Sequence, residues 1–497
     1  MTNPTECDYL IIGGGVAGCV IARRLADRTS ARIILLEAGR SDEGDPAATD
    51  LSRLDDLDDS YDWGFRASPL SGSAPELSYS RAKMLGGCAN HNDCAFLIPP
   101  DCDFESWERL GATGWGPTAV APYFRRVEER VHVETNAPRS PMSKVFVAAG
   151  CELGLTDVAY RERIAPGVGW FPLNAKGALR QSTSITYLHP LASLPKHLEV
   201  WANTFSERLI LEHGRVVGAS TSRGEIRARR EVILTAGAIQ TPQLMMLSGL
   251  GPAEHLRTHG IPVMRDLPGV GRHLLDHVAA AVVFDLMEPV APWVLTPFEA
   301  MMMIQVDADA PAPDVLYHFG LRVREKYGFN PRLGKPVNGV KASPNVARAR
   351  SEGSVTLASA DPCAKPVIDL NYLSDADGYD QRLLLAGLCF ARRLARTKAL
   401  GSVVRAEVSP GPDVRSDDDL IAYIRHVCET VYHPSGTCMM GDPAMPRTVV
   451  APNLKVKGVA GLRVADASVF PSMVSVNIAN TVMMVAEKAA DAILADH

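Results

Sequence analysis

Gly13, Gly15 and Gly18 are spaced G-x-G-x-x-G, and Glu37 follows about twenty residues later. That spacing suits a dinucleotide. Glycines let backbone N–H groups approach a pyrophosphate at a helix N-terminus, and the carboxylate accepts from a ribose hydroxyl. A 2′-phosphate would be repelled by the same carboxylate, which disfavours NADP. A tight turn that merely packs a helix on a sheet would use similar glycines, so the elements around them decide. A second stretch, "GGCANHNDC" (86–94), sets His91 between asparagines after two glycines, a poor recipe for a helix or a buried strand.

The elements agree with the dinucleotide reading. "CDYLIIGGGVAGCVIARRLAD" runs an apolar strand into a glycine turn and a helix with small residues on its packing face, and "ARIILLEAG" adds a second buried strand. Residues 231–251 repeat strand, glycine turn and helix, with Thr241-Pro242 suited to a helix start. From about 287 to 416 the pattern changes to antiparallel strands, "PDVLYHFG", "SEGSVTLAS" and "KPVIDLNYL", then a helix, "DQRLLLAGLCFARRLA", which points to a second domain. "AMMMI" within it reads as core rather than a cofactor box. The acidic, turn-rich 41–75 reads as irregular surface structure with solvated aspartates. The chain ends in a helix, "NTVMMVAEKAADAIL", with apolar positions recurring at three and four.

Composition limits the partners. The 497 residues, 46% hydrophobic, can bury a large core, and a net charge of −6 leaves no basic face for nucleic acid. No apolar run is long enough to span a bilayer, and no leader pattern opens the chain. Ten scattered cysteines form no C-x-x-C pair and no zinc spacing. Reduced thiols, a cytoplasmic location, no metal and a small-molecule partner are expected.

Separated segments then converge on one family. "IIGGGVAGCVIARRLA…LLEAG", "RAKMLGGCANHNDCAF", "GAIQTPQLMMLSGLG", "VYHPSGTCMMG" and "LRVADASVFPSMVSVNIANTVMMVAEKAADAI" together resemble the glucose-methanol-choline (GMC) oxidoreductases, most closely the choline-oxidase-like members. The resemblance implies an α/β plus α+β chain. Its Rossmann-like FAD-binding domain is assembled from 1–115, 192–286 and 425–497, and its substrate domain, on an antiparallel sheet, from 116–191 and 287–424. It leaves a homodimer open.

By the same resemblance, Gly13, Gly15, Gly18 and Glu37 hold the ADP part of FAD, Gly86 and Gly87 pass along the flavin, and Ala465 and Asp466 lie near the pyrophosphate or ribityl chain. The pair His91-Asn92 matches the variant in which histidine is joined covalently to the flavin 8α-methyl carbon. His433 matches the catalytic histidine and Asn477 its partner. Alcohol oxidation needs a hydroxyl proton removed and a hydride delivered to flavin N5, which an imidazole and a second polar group can serve. Either neutral His433 takes the proton, or charged His433 stabilises the alkoxide while another base acts.

The implied activity is oxidation of a polar primary alcohol to an aldehyde, with dioxygen reduced to hydrogen peroxide. A dehydrogenase using another acceptor is the close alternative, and the same fold also carries lyases and a photodecarboxylase. Three features bear on the substrate. Asp93 stands where a serine follows the His-Asn pair in choline-oxidase-like members, residues 41–60 lack the aromatic of a quaternary-ammonium cage, and Glu299 is a candidate for the carboxylate that pairs with the choline cation. Tyr432, beside His433, is a further candidate contact. Choline is therefore expected to be a poor substrate.

Overall fold

The computed structural model describes residues 4–70, 76–289, 293–323, 332 and 334–496. Thr5–Ile12 is apolar on both faces from Tyr9 onward, and those residues are buried, the pattern of a strand covered on both sides. It pairs in parallel with Ile33–Leu36 on one side and Gly224–Leu234 on the other. Leu198–Trp201 extends one edge, Ser206–Glu212 and Arg215–Thr221 extend the other, and Leu462–Val464 runs parallel to the end of Gly224–Leu234.

Register explains why distant segments meet. Ile12 lies opposite Leu36 and Leu234, and Leu234 opposite Val464. The chain therefore leaves the sheet at Gly13, Glu37, Thr235 and Ala465 along one carboxyl edge, where ligands of open parallel sheets bind.

The helix after Gly224–Leu234 begins earlier than Thr241-Pro242 suggests. It spans Gly237–Leu247 with Pro242 inside it. Proline cannot donate to the carbonyl four residues back, but Ala238 O instead accepts from Thr437 Oγ1 at 2.6 Å. A tertiary hydroxyl thus satisfies the group the proline leaves unpaired.

Among the described residues the second sheet has nine strands and is almost wholly antiparallel. Val404–Ser409, Val282–Leu286, Gly339–Val346, Val315–Gly320, Ala300–Ile304, Gly167–Trp170 and Asp157–Val158 follow in that order, with Val278–Ala279 beside Gly339–Val346 and Glu429–Thr430 beside Val278–Ala279. Val278–Ala279, Val282–Leu286 and Glu429–Thr430 fall within segments expected to form the cofactor-binding unit, yet they pair here, because strand pairing continues past the points where composition changes. Ala300–Ile304 is buried at every position, with Met301 and Met303 in one cluster and Met302 in another, so the methionines are core.

In the described part of the acidic stretch, Asp45, Asp50 and Asp58 cap three short helical turns. They order the segment rather than only solvating it.

Candidate active site

A cavity of about 530 Å³ runs from the carboxyl edge of the first sheet to the face of the second. Gly13, Gly15 and Glu37 line one end, Gly87, His91, Asn92 and Asp466 the middle, and Asp93, Tyr432, His433 and Asn477 the other.

At the first end the helix Val16–Arg28 opens on Gly15 with no capping side chain and no acidic residue in its first turn. Gly15, Val16 and Ala17 line the cavity, so the helix presents unfilled N–H groups and the positive end of its dipole to an anion. Glu37 accepts from Gly14 N at 3.0 Å and Gly39 N at 2.7 Å, and burial, opposed by those two bonds, pushes its carboxyl up to about 7. Each oxygen keeps a lone pair for a hydroxyl. Asp466 accepts from Gly237 N at 2.8 Å, Thr241 Oγ1 at 2.7 Å and Ser468 N at 2.8 Å, which holds the first turn of the second helix to the cavity wall. An FAD pyrophosphate and ribose fit this donor and acceptor set.

Three expected residues shape the wall from behind rather than lining it. A Cβ on Gly18 would fall 2.0 Å from Gly13 O, so Gly18 lets the helix pack on the turn. Gly86, at φ +84°, starts the short helical turn Gly87–Asn90 that delivers His91 to the cavity, and a Cβ there would meet Asn90 Nδ2 at 2.3 Å. Ala465 donates its N–H to Leu234 O at 2.9 Å and is buried. His91 Nε2 lies 3.4 Å from Ser80 Oγ.

Glu299 does not face the cavity. It is 1% exposed, and its carboxylate accepts from Ser140 N at 2.7 Å and Val294 N at 3.2 Å. It is not a solvated surface carboxylate: two backbone donors that need an acceptor hold it inside. Asp93 does line the cavity and accepts from Thr296 Oγ1 at 3.0 Å.

The far end joins His433 and Asn477, expected from the sequence, to His277, Asp276 and His318, which were not. His277 Nε2 lies 2.9 Å from both Ala347 O and Val474 O, which can only accept, so that nitrogen carries the proton. Burial drives His277 below the ordinary imidazole range and keeps it neutral, leaving Nδ1 an acceptor. Nδ1 of His433 lies 2.7 Å away and must donate to it. His433 Nε2 is thereby left without a proton, and it accepts from Asn477 Nδ2 at 3.3 Å. Burial, then His277, His318 and Arg81, hold His433 well below the usual imidazole value.

One carboxylate fixes both histidines. Asp276 Oδ1 accepts from the backbone N–H groups of His277 at 2.9 Å and His433 at 2.8 Å, while Oδ2 accepts from Tyr79, Tyr372 and Thr430 hydroxyls at 2.9, 2.7 and 2.6 Å. Tyr432 adopts a left-handed φ of +66°, costly for a non-glycine residue unless its surroundings impose it. Here they do: its N–H donates to Thr430 Oγ1 at 2.6 Å and its carbonyl accepts from Arg81 Nη2 at 2.9 Å. The bend turns His433 into the cavity.

His318 completes the wall. Its Nδ1 accepts from Asn345 Nδ2 at 3.1 Å, which puts the proton on Nε2, and burial first, then Lys341 and His277, push it down to about 3. Among the described residues Nε2 has no hydrogen-bond partner of normal geometry, and nearby Asn477 opposes that shift. The polar residue in the otherwise apolar "VLYHFG" strand, and "DH" just before a buried strand, are the sequence signals that mark His318, Asp276 and His277.

The GMC oxidoreductase amino-terminal profile matches residues 7–279 and the carboxyl-terminal profile residues 349–486. The chain belongs to the GMC oxidoreductase family. It is 35% identical to choline oxidase of Arthrobacter globiformis, over 98% of this chain and 94% of that protein. It is equally identical to the oxygen-dependent choline dehydrogenase of Brucella suis, over 98% of this chain and 96% of that one. Among solved structures, pyridoxine 4-oxidase from Mesorbium loti superposes with a TM-score of 0.89 at 26% identity, covering 98% of each chain. GMC oxidoreductases bind FAD, and the uncapped helix and the buried acceptors here suit that cofactor. Among the described residues no cluster could hold a metal ion, all ten cysteines are free, and no helix is long and apolar enough to cross a membrane.

Proposed function

We propose that this GMC enzyme oxidises a polar primary alcohol to an aldehyde, with His433 Nε2 as the base that takes the hydroxyl proton. The relay carries the reading. Two carbonyls fix the proton of His277, His277 fixes the proton of His433, and the one unprotonated nitrogen left over faces the cavity, where Asn477 Nδ2 donates to it and an alcohol hydroxyl would take that place. A neutral imidazole so poised is the form a general base needs at neutral pH. Asn477, next to the same nitrogen, orients the alcohol oxygen, and His318 Nε2–H adds a donor as negative charge grows there. FAD, when bound, would supply the hydride acceptor at N5, with dioxygen as the final electron acceptor.

His91 is placed in this reading as the covalent anchor of the flavin, through an imidazole nitrogen and the 8α carbon. Such a bond would prevent cofactor loss and raise its potential. Asp93 and Tyr432 line the substrate end, and Asp93 suits an O–H or N–H donor better than a quaternary ammonium, which has no hydrogen to give.

Anaerobic mixing with a panel of alcohols, amino alcohols and sugars tests the class: at least one primary alcohol is expected to bleach the flavin, and a flavin that none of them bleaches removes the alcohol reading. Stopped-flow reoxidation by air then separates an oxidase from a dehydrogenase. Acid precipitation is expected to leave yellow colour on the protein and a flavin-modified peptide containing His91, and colour entirely in the supernatant of fully loaded protein ends the covalent assignment.

A further inference from the structure

The cavity wall carries a charged pair that the proton relay does not use. Lys341 lies opposite Gly320 in register, two residues from the His318–Ser343 pair, and Glu429 lies opposite Ala279. Both line the cavity, with only 11% and 6% of their side chains exposed, and Lys341 Nζ is 3.4 Å from Glu429 Oε1. A Cβ on Gly320 would meet Lys341 Cγ at 2.9 Å, so the glycine gives the lysine stem room along the sheet.

Such a pair is not the cheap way to build this face. Taking two charges out of water often costs more than an apolar pair of equal volume, and the neighbouring Ala281, Val283 and Val408 form an apolar cluster. The surroundings are those of a binding site. Phe171 stacks on His318 with centroids 5.2 Å apart, Phe298 meets it edge-on at 6.0 Å, and Lys341 Nζ sits 5.5 Å from the Phe298 ring centre. Ser343 Oγ, on the same face, is buried and has no hydrogen-bond partner among the described residues.

We propose that Lys341 and Glu429 form the headgroup site of the substrate cavity, and that they select a neutral, ring-bearing primary alcohol carrying a ring hydroxyl. Its oxygen accepts from Lys341, its hydrogen donates to Glu429, and its ring lies against Phe171, His318 and Phe298. A hydroxyl serves both charges at once without adding a third. A trimethylammonium does neither: it gives Glu429 no hydrogen and sets a positive charge against Lys341. This inference rests on the alcohol-oxidising reading for its substrate, though not for its binding site.

The test uses the flavin-loaded enzyme with 3-hydroxybenzyl alcohol and benzyl alcohol for anaerobic reduction, and with the two corresponding aldehydes for binding, read from the shift in flavin absorbance. The hydroxylated member is expected to be preferred about tenfold or more in both readouts, the scale of a hydrogen bond to a charged group. Lys341→Met with Glu429→Gln, changed together so that neither charge is stranded, is expected to bring both ratios within about threefold of one. No preference in the wild-type enzyme, or a preference that survives the double substitution, overturns the headgroup site; should the double variant not retain flavin, the wild-type ratios decide. Faster bleaching by choline than by either benzylic alcohol also overturns it while leaving alcohol oxidation standing. If neither alcohol bleaches the flavin yet the aldehyde preference appears and the double substitution removes it, the headgroup site stands and the assigned reaction falls.

Discussion

The two ends of the cavity are built from different parts of the chain. At the dinucleotide end the contacts come from backbone: the open first turn of Val16–Arg28, the Gly13–Gly18 approach, and carboxylates whose main work is to hold N–H groups in place. At the other end they come from side chains, His277, His433, His318 and Asn477, on a backbone pinned by Asp276. A site made of backbone is intolerant of one added atom and nearly indifferent to side-chain chemistry. A site made of side chains is the reverse, since its fold survives a substitution that its chemistry does not.

The largest effect should therefore follow from the smallest change, a methyl group. In Gly18→Ala the new Cβ would sit 2.0 Å from Gly13 O, a backbone atom that cannot swing aside, and 2.9 Å from the Thr235 hydroxyl. Overpacking of this kind costs about 1–3 kcal/mol or more, and relieving it displaces the turn that holds the pyrophosphate. The purified variant is expected to lack bound flavin or to fail to accumulate, as measured by its visible absorbance. A variant that loads FAD normally would break the comparison.

His433→Ala tests the opposite end. Flavin content and thermal stability are expected to stay near wild type, while the rate of flavin reduction by a good alcohol falls roughly a hundredfold or more, the scale of a general base. Asn477→Ala is expected to move the rate the same way by less. A near-normal reductive half-reaction in His433→Ala would falsify its role.

The same division governs what the sequence reveals. The dinucleotide end is legible because strand, glycine turn, helix and acid are adjacent in the chain, and parallel register then aligns them without further information. The resemblance carried His433 and Asn477 to the same cavity end. What stayed hidden depends on cross-strand register and burial. Glu299 stands one residue before a cavity-facing sheet, yet two backbone donors turn it inward. Lys341, Glu429 and His318 lie far apart in sequence and meet only because antiparallel pairing puts them on one face. Periodicity marks a face as inward, but it does not say which other strand faces it.

His277 sharpens the comparison with the smallest expected effect, because it touches neither cofactor nor alcohol and acts only through His433. In His277→Phe the acceptor for His433 Nδ1–H is gone, so the imidazole can place its proton on Nε2, where a base cannot have it. The rate of flavin reduction is expected to fall about ten- to hundredfold, the usual cost of losing a partner that orients an imidazole, and His277→Gln, which can offer an oxygen to Nδ1–H, should recover part of it. The pH profile separates this from a merely structural defect. Because wild-type His433 is held well below the ordinary imidazole value, its base form is fully present at neutral pH and is lost only when the pH drops well under 6.5. His277 is neutral at neutral pH, but at the lower pH where it too takes a proton its charge is the largest cause of that depression after burial, so removing it should move the acid limb of the profile upward. Full flavin content, a lowered plateau and a shifted acid limb together support the relay. An unshifted limb with a uniformly lower rate would make His277 a packing residue, and the lone pair on His433 would then owe its position to burial alone.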